Sequence, residues 1–375
     1  MARQSRWGER FGPVDERRAR QILLAAVRDP ATMGRLVAQH GSALAALAVD
    51  SDWDEDAVAR KVEEELRTLA RLGVQLLVPG DDGWPHQLAG ACSPPQLLYV
   101  RGRLPDWRAS PGLGLVGSRR HAAYGERVAA RLAAVWVRLG GCVVSGGALG
   151  VDSAAHQSSL DAGGSTVAVL ATGVDRPHPA QNRSLFERMV ERGALVSELP
   201  LGTSPIPRNF PWRNRTIAGL CHAVVVAQAA AKSGALYTAT FALKSGRKLF
   251  TVPASVEDEG CAGSLDLLVK GVAALVRPEQ LAELYSQVAE TPTPAAYAAA
   301  VAVSPRLMVR LSGLPQSLRQ VLEMLDNRVL HIDELADSLN MSPATLSLAL
   351  LDLELKDWIV KQAGNRYACN VCIER

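Results

Sequence analysis

The stretch CVVSGGALGVDSAAH, residues 142–156, runs from an apolar strand through a glycine-rich turn into a helix. That order of elements commonly holds an anion, because bare amides at a helix N-terminus converge on it. Three ligand classes compete for such a place: a nucleotide cofactor, a small phosphorylated substrate, and the backbone of a nucleic acid. Gly146, Gly147 and Gly150 permit positive φ and close backbone approach, which suits an oxyanion, but three glycines also make a plain tight strand-to-helix turn. Asp152 and His156 stand four residues apart on one helix face, the spacing of an acid–base pair and equally of an acid that complements the helix dipole and bonds within its own helix or to His156. Ser145 completes a nominal Ser, His and Asp set. There is no G-x-S-x-G elbow, and the three lie within twelve residues of one another, so a hydrolase triad is set aside.

Outward from this stretch the pattern repeats. LGLVGS, CVVSG, TVAVLATG, ALVSEL, AVVVAQA, KLFTVPA and AALV are short apolar runs separated by helix-length segments between residues 113 and 276. Runs apolar on both faces belong to a parallel sheet covered on both sides, so the fold class is α/β with a doubly wound sheet, whose ligands bind beyond the carboxyl ends of the strands. A literal G-x-G-x-x-G falls at Gly112, Gly114 and Gly117, but those glycines lie inside the strand, and Ser145 rather than an acid ends the next one; a nicotinamide site is not expected. Before the sheet, VDERRARQILLAAV, ATMGRLVAQHG, SALAALAV and DEDAVARKVEEELRTLARLG read as short helices. After it, residues 284–313 are rich in alanine and proline and read as a linker, and 314–375 as three helices and two strands of a winged helix, its second motif helix starting at Ser342 and Pro343. The expected boundaries are 1–75, 76–283, 284–313 and 314–375.

Composition narrows the class. The 375 residues are 48% hydrophobic and 21% charged, without a run approaching the roughly 20 apolar residues of a membrane helix, and MARQSRWGERFG has no apolar run to make it a secretory leader. A folded, cytoplasmic protein is expected. The six cysteines are scattered; Cys369 and Cys372 form a lone C-x-x-C without a second pair or nearby histidine, so neither disulfides nor a metal are expected. Net charge is only +3, yet Leu199 to Val256 contains no Asp or Glu while it holds Arg208, Arg213, Arg215, Lys232, Lys244, Arg247 and Lys248. A solvated face normally intersperses acids, so this segment points to an anionic partner and a pocket without carboxylates.

FPWRNRTIAGL, residues 210–220, follows a proline-rich loop and opens a helix with Phe210, Trp212, Arg213, Asn214 and Arg215 together. Ring faces interleaved with guanidinium groups hold single strands without reading their sequence. The plain alternative makes Phe210, Trp212 and Ile217 core and the arginines solvated, which leaves the acid-free surroundings unexplained.

GWPHQLAGACSPPQLLYVRG, LVGSRRHAAYG, VVSGGALGVDSAAH, VAVLATGVDRPHPAQN, LVSELPLG, FPWRNRTIAGL and SGALYTATFAL occur in the order and spacing of the bacterial DNA-processing protein A family, also called DprA or Smf. The resemblance covers residues 82 to about 276. It implies an extended Rossmann-like domain that binds and shields single-stranded DNA and helps load RecA in natural transformation, without catalysis or cofactor, as a homodimer through that domain. It also implies a small helical domain of SAM or HhH type in front and the winged helix behind. Carried over by motif, the DNA site falls on Arg119, on Ser145, Gly146 and Gly147, on Asn182, and on Phe210, Arg213, Asn214 and Arg215, with Arg208, Lys232 and Ser233 at its rim. The sequence departs from the family at His178, Ala254 and Leu265, and no site is expected over 253–271.

Two other classes compete. Rossmann-like nucleotide N-glycosidic hydrolases of the lysine-decarboxylase-like group share a turn distantly similar to SGALYTATFAL, but carry a glutamate after it where this chain has Thr240 and Phe241; Glu198 is the single replacement in view, and such an acid is more often a helix cap or an arginine partner. A transcriptional regulator would rest on the winged helix, whose second motif helix carries Asp352 and Glu354 and no base before Lys356. Reading a groove needs the opposite. That domain is expected to bind protein or pack on its own chain.

Overall fold

The computed structural model describes residues 2–49, 53–119, 123–289, 308–311, 313–325, 329–339, 341–356, 358–362, 365–369 and 372–374. Most of the expected 284–313 linker lies outside them. The chain divides into two compact units, 1–300 and 301–375.

The first unit opens with five helices, α1 (Ala2–Phe11), α2 (Glu16–Val27), α3 (Pro30–His40), α4 (Ala43–Ala48) and α5 (Glu55–Leu72). Asp15, Asp29, Ser42 and Asp54 cap α2 to α5, each accepting a hydrogen bond from a backbone amide three residues on. α1 was not foreseen, because its apolar contribution reduces to Trp7 and Phe11, which stack at 6.1 Å. These helices do not keep a core to themselves. Ile22, Leu23, Leu47 and Val62 belong to one apolar cluster with Tyr99, Leu170, Phe186 and Leu195 of the sheet layer. Half-buried Glu65 ties the two parts together, accepting from Tyr99 Oη at 2.8 Å and Gln21 Nε2 at 2.7 Å; burial raises the pKa of both Glu65 and Tyr99.

Nine strands follow, β1 (Val74–Leu77), β2 (Leu98–Gly102), β3 (Gly112–Gly117), β4 (Cys142–Ser145), β5 (Thr166–Val169), β6 (Ala194–Ser197), β7 (Ala223–Gln228), β8 (Lys248–Thr251) and β9 (Ala273–Ala274). They form one sheet in the order β1-β2-β6-β5-β4-β3-β7-β8-β9. From β6 to β9 every pairing is parallel; β1 and β2 add antiparallel at the β6 edge. α6 (Ala123–Arg138), α7 (Val151–Asp161), α8 (Arg183–Arg192), α9 (Asn209–Leu220), α10 (Ala235–Lys244) and α11 (Ala262–Val269) connect the parallel strands, and α12 (Gln280–Val288) runs five residues past the expected end of the domain. Seven of the nine strands are the apolar runs read from the sequence, buried almost throughout from β3 to β7. The chain winds outward from β3 through β4, β5 and β6, then returns to the other side of β3 as β7. That reversal is the switch point at which a sheet of this kind opens a crevice.

The second unit holds β10 (Met308–Arg310), α13 (Gln316–Leu325), β11 (Val329–His331), α14 (Ile332–Leu339), α15 (Pro343–Leu355), β12 (Ile359–Gln362), β13 (Arg366–Cys369) and β14 (Cys372–Glu374). β11, β13 and β12 form an antiparallel wing, and Leu318, Leu322, Leu335, Leu346, Leu353 and Ile359 are its core. α15 starts where the sequence places it, with Ser342 accepting from the Thr345 amide and Pro343 in the first turn. No described helix is long and apolar enough to cross a membrane.

Candidate nucleic-acid interface

A cleft of about 710 Å³ lies at the switch point, lined from the ends of β3 and β7 and the loops beyond them. Arg119 stands at its mouth, exposed, its guanidinium 4.9 Å from the centroid of Phe210. The Phe210 ring divides the cleft from a smaller hollow of about 190 Å³ on its other side, which Thr172, His178 and Leu149 line; Arg119, Arg213 and Ala148 face both. His178 meets Phe210 edge-on at 6.2 Å. Lys232 and Ser233 close the far rim of the cleft, where Lys232 is exposed and has no described partner.

Arg213 forms the floor. Its Nη1 donates to the Gly146 carbonyl at 2.6 Å and to that of Val169, and its Nε to Asn214 Oδ1 at 3.1 Å. Nη2 has no described hydrogen-bond partner, so one edge of the fork stays free. Burial brings its pKa down to about 10, still well above neutrality, so the floor is cationic. Gly146 is required by this packing, since a Cβ there would stand 2.5 Å from the guanidinium. Asn214 uses its other end to donate to the Gly234 carbonyl at 3.0 Å, fixing the Lys232–Ser233 rim to α9. Asn182, 8% exposed, donates to the Gly147 carbonyl and to Ser153 Oγ, both at 2.8 Å. It positions the glycine loop and does not face the cleft.

Two amides of the glycine loop are not offered to a ligand as the oxyanion reading supposes. Asp152 Oδ2 already accepts from the Gly146 amide at 3.1 Å and the Ala148 amide at 3.3 Å. The cleft is therefore not free of carboxylates: Asp152, from outside the acid-free segment, lines it, with burial raising its pKa and Arg213 opposing the rise. His156 is no partner to it. Its Nδ1 meets Thr166 Oγ1 at 2.7 Å, and burial drives its pKa down to about 3, so it is a neutral core residue. Ser145 is wholly buried, donating to the Leu115 carbonyl at 2.5 Å.

Arg215 is a correction. It bonds Glu198 and the Ser93 carbonyl and lies over the Trp212 ring at 4.1 Å, with 3% of its side chain exposed. Two residues along a helix turn a side chain through about 200°, so with Arg213 in the cleft Arg215 faces away from it. Trp212 goes with it. Arg208 is exposed in the loop just before α9 but is not part of the cleft wall. Sequence reasoning missed Tyr237, 54% exposed on the first turn of α10 and facing the cleft. An aromatic three residues after Gly234, at a helix start beyond a parallel strand, was the available signal.

Comparison with known proteins now decides the family. The family model for DNA recombination-mediator protein A matches residues 75–288, more than half of the chain, and the DprA winged helix domain matches 309–365. The chain belongs to the DprA family. A putative DNA processing protein DprA of Mycobacterium tuberculosis is 36% identical over 326 residues, 81% of each chain. Protein Smf of Synechocystis is 43% identical over 211 residues, 55% of this chain and about half, 53%, of that one. A DprA structure from Helicobacter pylori, described for its single-stranded DNA binding mode, superposes with a TM-score of 0.52 at 26% identity, covering 58% of this chain and 98% of that one. The DprA match thus spans both the sheet and the winged helix, as the resemblance implied.

Proposed function

We propose that this DprA-family chain binds single-stranded DNA in the switch-point cleft, shields it, and mediates its loading with RecA in natural transformation or recombination, binding rather than cleaving. The observation that carries this reading is the Arg119–Phe210 stack between two hollows, with the free edge of Arg213 beneath and Lys232 opposite. The ring between the two hollows and the guanidinium lying on it together offer a stacking surface for a base of any identity, while the surrounding cations take the phosphates. Duplex DNA keeps its bases stacked and cannot offer them. The Helicobacter relative supports the single-stranded DNA part of the reading, and the recombination-mediator family supports a place in recombination. A homodimer through the sheet unit, on which Leu243, Val269 and Val276 are exposed, belongs to the same reading. The hydrolase alternative loses its acid, because Glu198 is engaged by Arg215 and Thr216 and is absent from the cleft wall.

Replacing Arg119 and Phe210 together by alanine is expected to weaken binding of a labelled oligothymidylate about a hundredfold, from lost stacking and a lost charged contact. Both side chains are at least partly exposed, so the thermal midpoint should hold. Anisotropy titrations that match those of the wild type reject the cleft as the site.

A further inference from the structure

The cleft accounts for Arg119, Arg213 and Lys232 but leaves a second set of cations unused. On α6, Arg127, Arg131 and Arg138 are all exposed. At about 100° per residue they share one arc of about 80° with Ala123 and Ala134. Several other exposed arginines of the sheet unit are paired: Arg10 with Asp56 and Glu63, Arg17 with Asp81, Arg183 with Glu187, Arg188 with Asp161. The three on α6 make no hydrogen bond or ion pair with a described residue. The one acid on this helix, Glu126, sits about 100° from Arg127, off the arc. Nearby Asp258 is held by Gln228 and the Gly260 amide. Like charges left unpaired along one face repel each other, and an anionic polymer relieves that repulsion.

Position supplies the second argument. α6 begins four residues after Arg119, beside the cleft, and descends next to α7: Gly125 abuts Val151 at the upper end, and Ser158 Oγ donates to the Ala130 carbonyl at 2.6 Å further down. The stripe thus begins in the second turn of the helix that follows Arg119 and runs on along it, with a rise of about 6 Å between Arg127 and Arg131 and about 10 Å on to Arg138. We infer that this face of α6 is a track for the phosphates of the single strand as it leaves the cleft, so that the protein grips more nucleotides than the cleft holds. The inference rests on the single-strand reading above.

The test compares the full-length wild type with Arg127→Gln/Arg131→Gln/Arg138→Gln on oligothymidylates of about 6 and about 20 nucleotides, across a salt series. For the long strand the variant should bind about tenfold more weakly near 0.1 M salt, with its log–log salt slope reduced by about 2, three contacts at roughly 0.7 each. The short strand should bind both proteins alike. Equal affinities and slopes for the long strand overturn the track, and so does an equal loss on both lengths, which would place these arginines in the cleft or in folding. Long duplex DNA losing as much as the long single strand also overturns it. A wild type that binds neither oligonucleotide refutes the single-strand reading itself, an outcome separate from loss of the length dependence alone.

Discussion

Two places in this molecule look, by fold alone, like nucleic-acid sites: the switch-point cleft of the sheet and helix α15 of the winged helix. They differ in what their cations do. In the cleft Arg119 lies on a ring face, Lys232 is free, and Arg213 keeps one edge unbonded. At the C-terminal cap of α15 the lone base, Lys356, bonds Asp352 at 2.6 Å and lies 5.5 Å from the Trp358 ring, while Leu348 and Leu351 are 68% and 52% exposed. A helix with an apolar, acid-flanked face suits a protein surface better than a phosphate backbone. Architecture nominates both places; only uncommitted charge separates them.

The largest effect that sharpens this contrast lies within α9, where an arginine committed to an ion pair stands two residues from one that keeps an unbonded edge. Arg215→Ala strands Glu198 in the interior and is expected to cost about 3 kcal/mol of stability by denaturant unfolding. Strand affinity per folded molecule should stay unchanged; if it drops while the fold holds, commitment to an ion pair does not disqualify an arginine. Smaller is the effect of the rim. Arg208→Ala and Lys232→Ala should each lower the log–log salt slope for single-stranded DNA by about 0.7 and weaken binding a few fold, and a flat response at Arg208 would confine the site to the cleft wall. The smallest is on the winged helix, where Leu348→Glu with Leu351→Glu is expected to leave single-strand and duplex affinity as they are. A clear loss on either substrate would break the comparison outright.

The parallel strands were legible because a strand buried on both faces writes a continuous apolar run, as AVVVAQA does. β1 and β2 were not. They sit in proline- and glycine-rich surroundings and pair antiparallel at an edge, where alternation is short and interrupted. Strand order leaves no trace in a single sequence, so the position of the cleft was known only as the carboxyl side of the sheet. Within the site, composition found the right segment and could not tell facing from non-facing residues: Arg213 and Arg215 read alike until the helix is built. Asp152 escaped for a related reason. Its charge belongs to another stretch of chain, and folding carries it onto the cleft floor. Helix boundaries shifted least where a cap was visible, as at Asp54 and Ser342.

Asp152 has one more consequence. By occupying the Gly146 and Ala148 amides with its own carboxylate, the protein supplies an internal stand-in for the anion the loop resembles a receptor for. The loop is thereby already set in shape, so an arriving strand meets a finished mould and little ordering entropy remains to be spent on contact.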